Sequence, residues 1–254
     1  MNKFDSLSDW QNFRSRLKGS LGFVPTMGAL HDGHLSLIKQ SLSDNKYTLA
    51  SIYINPTQFN DTNDLKNYPQ QMDKDIKILQ EIGCDFVLTP TYEQIYPDNF
   101  NYKVSEQNLS KLFCGRSRPG HFDGVLTIVL KLLNIVQPTK VYFGKKDFQQ
   151  YLLVKNMVEA FFIPTQVIGC ENIRETDGLA MSSRNFKLCP EKRKTASLFY
   201  KILKDSKNPE EAIAQLKKEN FKVDYVEDCW GRRLGAVYLD NVRLIDNIKL
   251  GELI

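Results

Sequence analysis

The sequence predicts an α/β protein: a Rossmann-like, doubly wound parallel sheet followed by a smaller α+β C-terminal lid domain. Three observations carry that expectation. Short apolar, β-branched runs alternate with longer stretches of helical spacing through the first two-thirds of the chain, the pattern of strand–helix–strand units. The segments after the first, second and fourth of these runs are rich in Gly, His, Asn, Gln and Lys, at the strand ends where open parallel sheets gather ligands. Beyond residue 185 the composition changes to two charged amphipathic stretches and then short strand-like runs. The expected division is 1–172 for the sheet domain and 173–254 for the small domain.

The elements follow in order. Residues 5–17 predict a helix, capped by Asp5 or Ser6, with Leu7, Trp10, Phe13 and Leu17 as its apolar face. Leu21 to Val24 is a strand, and Leu35, Leu37, Ile38 and Leu42 mark a helix from about 33 to 44. Tyr47 to Ile54 reads as a buried parallel strand, reached by a right-handed crossover. Residues 61–71 read as loop. A helix over 72–82 stops at Gly83, and 85–88 is a third strand, ended by Pro90. Tyr92 to Pro97 is a turn or short helix, and 102–105 a short strand. A long apolar helix covers 125–136. A strand at 141–143, a helix at 148–161 and a strand at 166–169 complete the sheet domain. Helices at 191–205 and 209–219, then strands at 223–226, 235–239 and 242–245, make the small domain.

Composition narrows the function. The 254 residues suit one large domain or a medium one plus a small one, and 42% hydrophobic with 25% charged residues is ordinary for a globular protein. Thirty-four basic against 30 acidic residues leave a charge of +4, too balanced for nucleic acid or an anionic membrane as main partner. The five cysteines are scattered, odd in number and form no CxxC, which points to reduced thiols and a cytoplasmic location. The polar N-terminus has no signal-peptide core, and the longest apolar run, broken by Lys131, is too short to span a bilayer.

The chemistry concentrates after the first strand, in Pro25-Thr26-Met27-Gly28-Ala29-Leu30-His31-Asp32-Gly33-His34. Two glycines permit a sharp turn and close approach of a ligand. The following helix N-terminus offers unpaired N–H groups to phosphate. His31 and His34 lie one helical turn apart, so both can face one ligand. A wet polar turn, or a zinc pair lacking further ligands, are the competing readings. No Gly-Lys-Ser/Thr follows, so this is not a P-loop. Asn55-Pro56-Thr57-Gln58-Phe59 ends the second strand with amides suited to a hydroxyl- or carboxylate-bearing substrate, or simply makes a turn. Gly115 to Gly124, with Arg116, Arg118 and His121, precedes the long helix and reads as an anion-binding or solvated loop. Gly144-Lys145-Lys146-Asp147 ends the fourth strand, where a lysine can reach phosphate; both lysines could also be ordinary surface residues. Arg174 to Asn185 joins a Gly turn, a hydroxyl pair and an arginine, all able to donate to a triphosphate.

In this order the motifs resemble the class I aminoacyl-tRNA synthetase-like nucleotidyltransferases, whose His-x-Gly-His loop and mobile Lys-Met-Ser-Lys-Ser-type loop grip ATP. More narrowly, the chain resembles the pantothenate synthetase (pantoate–β-alanine ligase) family. The resemblance rests on residues 25–34 and 55–59, Arg118-Pro119-Gly120-His121-Phe122, Phe143 to Gln150, and Asp177 to Asn185, and covers nearly the whole chain. It departs from the family's habit with Lys145 in place of glutamate, Thr57 in place of methionine, a thin acidic cluster of Asp73 and Asp75 around Lys74, and a short second domain.

The resemblance implies ATP-driven amide formation between pantoate and β-alanine through pantoyl-adenylate. It implies catalytic roles for His34, His31 and Lys146, with His34 at the position assigned as proton donor. ATP would be held by Met27, Gly28, Ala29, Leu30, His31, Asp32, Gly33 and His34. Gly144, Lys145, Lys146, Asp147, Ile173, Met181, Ser182, Ser183 and Arg184 would complete that grip. Gln58 and Gln150 would hold pantoate, and Gln58 would also lie at the β-alanine site. Mg²⁺ would arrive with ATP, with no protein ligand assigned and no tightly bound organic cofactor. The family is usually homodimeric. The competing functions are an adenylyltransferase that acts on a nucleotide, which would not need the Gln58 and Gln150 pair, and a non-enzymatic nucleotide- or tRNA-binding module, which would want a basic face.

Overall fold

A computed structural model of the chain describes residues 1–252. By internal contacts the chain divides into two units: Met1–Gly144 with Gln149–Cys170, and Lys145–Phe148 with the chain from Glu171 onward. The sequence division at 172/173 lies two residues from the second of these boundaries. It gives no hint that residues 145–148 leave the sheet unit.

The first unit is a six-stranded, wholly parallel sheet in the order β1-β4-β3-β2-β5-β6. Its strands are β1 (Asn2–Phe4), β2 (Leu21–Thr26), β3 (Tyr47–Ile52), β4 (Phe86–Leu88), β5 (Lys140–Gly144) and β6 (Gln166–Cys170). The chain winds outward from β2 through β3 to β4, then restarts on the other side of β2 with β5 and β6. The strand order therefore reverses between β2 and β5, whose carboxyl ends lead into the histidine loop and the lysine doublet. Open sheets bind ligands at such a point. The doubly wound class is as expected, with one strand more: β1 is three residues long at the sheet edge, too short for a periodic signal.

Both faces of the sheet are covered, which is why its strands read as near-continuous apolar runs. On one side Leu21, Phe23, Leu49 and Phe86 pack with Trp10 of α1 (Leu7–Arg14), with Val125, Leu132 and Leu133 of α7 (His121–Val136), and with Leu153 and Met157 of α8 (Phe148–Ala160). On the other, Val24, Ala50, Val87 and Tyr142 meet Leu37 and Ile38 of α2 (Asp32–Asp44) and Leu79 of α4 (Met72–Glu81). Adjacent strand residues such as Phe23 and Val24 serve opposite faces, as the two-residue period of a strand requires.

Three local readings are corrected. The loop expected over 61–71 contains α3 (Thr62–Lys66), capped by the Asp61 carboxylate on Asn63 N–H at 2.7 Å. Residues 102–105 form no strand; the Val104 N–H donates to Thr127 Oγ1 at 2.9 Å instead of to a neighbouring strand. The glycine-rich stretch before the long helix is partly helical, with α6 (Phe113–Ser117) followed by α7 from His121, while α5 (Tyr92–Ile95) occupies the anticipated short turn.

In the second unit α9 (Pro190–Asp205) and α10 (Pro209–Lys218) precede an antiparallel sheet of β7 (Lys222–Cys229), β8 (Arg232–Leu239) and β9 (Val242–Lys249), in that order. Phe199, Leu203, Leu216, Val226, Val237 and Leu239 form its core. The strands run longer than the apolar signal because Arg233, Asp246 and Asn247 are buried within them.

Candidate active site

The histidine loop is bent by two consecutive residues in the left-handed region, Gly28 at φ +78° and Ala29 at φ +52°. A side chain at position 28 would meet Asp75 Oδ2 at 2.9 Å. The reason is that Asp75, buried on α4, receives the loop backbone: the Ala29 N–H donates to Oδ2 and the Leu30 N–H to Oδ1, each at 2.8 Å. The Gly28 N–H turns to Thr26 Oγ1 at 3.2 Å. The amides of residues 28–30 are thus turned into the protein. Ala29 and Leu30 are both buried.

The histidines close the same turn. His31 is the N-cap of α2; its Nδ1 accepts from the Gly33 N–H at 3.2 Å, and His34 Nδ1 accepts from the His31 N–H at 3.4 Å. The two rings lie 4.1 Å apart, tilted by 38°. A ring nitrogen that accepts carries no proton, so in the neutral imidazole each histidine bears its proton on Nε2. The loop therefore fixes the tautomer in which both rings present an Nε2–H donor. Asp32 and Gly33 form the first turn of α2 beside them.

Gln58 comes to this loop from the turn after β3. Its Nε2 donates to Met27 Sδ at 3.2 Å and its Oε1 accepts from Asn55 Nδ2 at 3.1 Å. Its carbonyl is gripped by His121 Nδ1 at 2.8 Å and by Arg118 at 3.2 Å. Sequence reading placed Arg118 and His121 on an anion loop; here they also anchor the backbone of the glutamine. Asn55 is buried, donates to the Gly124 carbonyl at 3.2 Å, and accepts from the Tyr96 hydroxyl at 2.8 Å and the Thr57 hydroxyl at 3.1 Å. Burial pushes the Tyr96 hydroxyl up to about 12, so it remains a donor at any working pH. Gly124 allows the approach, since a Cβ there would meet the Thr57 carbonyl oxygen at 2.4 Å. The glutamine pair on α8 divides: Gln149 is buried and bonds the backbone at Leu109, Leu112 and Cys114, while Gln150 is half-buried.

The second unit holds the remaining residues. Its first segment follows directly on Gly144, which ends β5 in the first unit, and Lys145–Asp147 form a single 3₁₀ turn. Lys145 pairs with Glu171 at 2.6 Å, and Lys146 with Asp147 at 3.3 Å. The serine loop begins with an antiparallel bridge between Arg174 and Ala180; the Ile173 carbonyl accepts from the Met181 N–H at 3.0 Å. Ser182 then caps the 3₁₀ turn Ser183–Lys187, accepting from the Arg184 N–H at 3.3 Å, and Ser183 is buried. Arg193 reaches back from α9 to Glu175 at 2.5 Å and Asp177 at 2.6 Å. Asp246, absent from the sequence reading, binds Arg174 through both oxygens, at 2.6 and 3.0 Å. No local signal marks it, because the polar pair Asp246-Asn247 inside a strand-like run reads the same whether it is buried or exposed.

No cluster of three or more His, Cys, Asp or Glu side chains placed to hold a metal occurs among the described residues. Each oxygen of Asp75 accepts one loop amide N–H. The five cysteines are unpaired thiols, and burial pushes the Cys84 thiol up to about 11.

The model of the pantoate–β-alanine ligase family matches residues 1–249. The chain belongs to the pantoate–β-alanine ligase family. Pantothenate synthetase of Bdellovibrio bacteriovorus is 50% identical over 245 residues, covering 96% of this chain and 98% of that one. The Legionella pneumophila enzyme of the same name is 45% identical, covering 98% and 100%. A crystal structure of pantoate–β-alanine ligase from Francisella tularensis, complexed with βγ-ATP and β-alanine, matches with a TM-score of 0.94 at 40% identity, covering 98% of this chain and 97% of that one. Family membership fixes the reaction: the chain is an enzyme that joins pantoate to β-alanine at the expense of ATP, through a pantoyl-adenylate.

Proposed function

We propose that the two loop systems divide the work of this reaction as follows. The pantoate carboxylate attacks the α-phosphorus of ATP and pyrophosphate leaves. The β-alanine amine then attacks the acyl carbon and AMP leaves. In-line transfer at phosphorus needs positioning and charge neutralisation more than covalent help. His31 and His34 supply Nε2–H donors to the phosphates and Lys146 a point charge. Ser182, Ser183 and Arg184 hold the phosphate chain. Gly144, Asp147 and Ile173 meet the adenosine, and residues 27–34 line the nucleotide. Gln58 and Gln150 hold pantoate, and Gln58 borders the β-alanine site. Mg²⁺ enters as part of the ATP complex, bridging phosphate oxygens. The enzyme acts in the cytoplasm, a reading supported by its five free thiols, and as a homodimer, as the family usually does. Among the described residues no helix is long and apolar enough to cross a membrane.

The observation that carries this reading is that Nδ1 of both His31 and His34 accepts a backbone N–H, which leaves Nε2 to carry the proton. The test is a single turnover without β-alanine. Enzyme, MgATP and pantoate should release pyrophosphate and retain pantoyl-adenylate, and added β-alanine should then release AMP and pantothenate together. His34→Ala should slow the pyrophosphate step by on the order of 10²-fold, the scale of one preorganised donor, with a much smaller loss in ATP affinity. Pyrophosphate that appears only with β-alanine would remove the two-step order, and a near-wild-type rate for the variant would remove His34 from the chemistry.

A further inference from the structure

The lysine doublet is held by its backbone. Asn247 of β9 donates from Nδ2 to two successive carbonyls, Lys145 O at 2.8 Å and Lys146 O at 2.9 Å. Every other polar group of Asn247 is also engaged. Its Oδ1 accepts from Arg232 Nη1 at 2.7 Å, its N–H donates to Asp246 Oδ1 at 2.7 Å, and its carbonyl accepts from Arg174 Nη2 at 3.3 Å. Asn247 is 2% exposed. Arg232 lies with its guanidinium 4.6 Å from the Phe148 ring, just past the lysine turn. Two amide hydrogens fixed on adjacent carbonyls leave the 3₁₀ turn little freedom to rotate about its ends.

We propose that Asn247 is a positioning residue for adenylation, acting through Lys146: its carboxamide sets the orientation of the 145–146 backbone and so the direction in which the Lys146 ammonium leaves the turn. The assignment rests on the proposed role of Lys146. Neither the lysine nor the asparagine can supply this alone. A lysine side chain has four rotatable bonds and reaches a phosphate oxygen reproducibly only if its Cα is fixed. The asparagine touches no atom of the ammonium. An aspartate at 247 would keep the acceptor for Arg232 but lose both donors, and would bring a second carboxylate against Asp246.

The experiment measures single-turnover pyrophosphate release from MgATP and pantoate in four full-length proteins: wild type, Lys146→Ala, Asn247→Ala and the double variant. A displaced reacting group costs about 10²-fold, so Asn247→Ala should slow release by about that factor. In the Lys146→Ala background the same substitution should add no more than about twofold, because positioning has nothing left to position. Asn247→Ser, which keeps one donor, should slow release less than Asn247→Ala; it replaces that variant in the cycle if the alanine protein does not fold. A near-wild-type rate for both asparagine variants overturns the proposal. So does an equal slowing in both backgrounds, the result of a merely structural role. A near-wild-type rate for Lys146→Ala removes the lysine from the chemistry itself, and the asparagine's positioning role falls with it.

Discussion

Each of the two units fixes a loop or turn with a buried carboxylate, but by different means. Asp75 touches its loop directly, accepting the Ala29 and Leu30 N–H groups. Asp246 works at one remove: it binds the Arg174 guanidinium and the Asn247 N–H, and Asn247 in turn holds the lysine turn. Burial raises the Asp246 carboxyl above its ordinary value even against the pull of Arg174. The difference follows from what is being held. The histidine loop has N–H groups to satisfy at a bend, for which a carboxylate is the right acceptor. The lysine turn presents carbonyls, and a carboxylate would repel them. A carboxamide is needed, and the aspartate is left to hold the arginine.

The largest effect should come from the residues that these devices present. Lys146→Ala should lower the rate of pyrophosphate release by about 10²–10³-fold, the loss of one preorganised charge at the phosphates. Lys145→Ala should be mild, because its ammonium is committed to Glu171 at 2.6 Å. Steady-state and single-turnover rates on both variants check this. Equal losses would mean that the turn presents both lysines alike, and the contrast drawn between them would collapse.

Asp75→Asn sharpens the comparison next. A carboxamide has one oxygen, so one of the two loop amides loses its acceptor, and the new amide hydrogens face an N–H group. Leaving one buried donor unpaired costs about 1–3 kcal/mol, and denaturant titration should show a loss in that range. Pyrophosphate release should slow by roughly 10-fold or more as the histidines shift. The Mg²⁺ concentration for half-maximal rate should not change if Asp75 serves only as the acceptor for the loop amides. A half-saturation that rises in step with the loss of rate would make Asp75 a metal ligand instead.

These two anchors also mark what the sequence discloses. Apolar periodicity was enough for five of the six parallel strands and their main flanking helices, because burial on both faces writes itself into those strands, whereas the mostly exposed edge strand β1 left no such mark. The His-x-Gly-His and Met-Ser-Ser-Arg motifs were legible because each compresses its chemistry into a few neighbouring residues. Asn247 was not, because its partners lie about a hundred positions earlier, and nothing in a strand-like run tells a buried polar pair from a solvent-facing one. Asp75 was visible only as part of a thin acidic cluster around Lys74. That residues 145–148 belong with the second unit follows from the same long-range bonds. Tyr96 escaped notice for a related reason: it reads as core, and only the fold shows its hydroxyl on Asn55.

The smallest effect should fall on the serine loop, where the second unit uses exposed ion pairs as well as buried ones. Arg193 joins Asp177 and Glu175, and its hydrogen bond holds the Asp177 carboxyl below its ordinary value of 3.8. A carboxylate whose folded-state pKa is depressed stabilises the fold fully above its unfolded value. That contribution is lost as pH falls through the lower, folded value. The Asp177 share of the loop's stability should therefore be intact at neutral pH and vanish only below about pH 4. Because these side chains are partly solvent-exposed, Arg193→Gln should cost no more than about 1 kcal/mol at neutral pH. Thermal unfolding of both proteins from pH 7 down to pH 3 checks this. The difference between them should be largest at neutral pH and shrink with acid. A difference that stays constant as the pH falls would show that Arg193 serves the loop by packing and not by charge. Added salt separates the same alternatives at fixed pH, since it should shrink the Arg193→Gln effect and leave the buried Arg174–Asp246 pair nearly untouched.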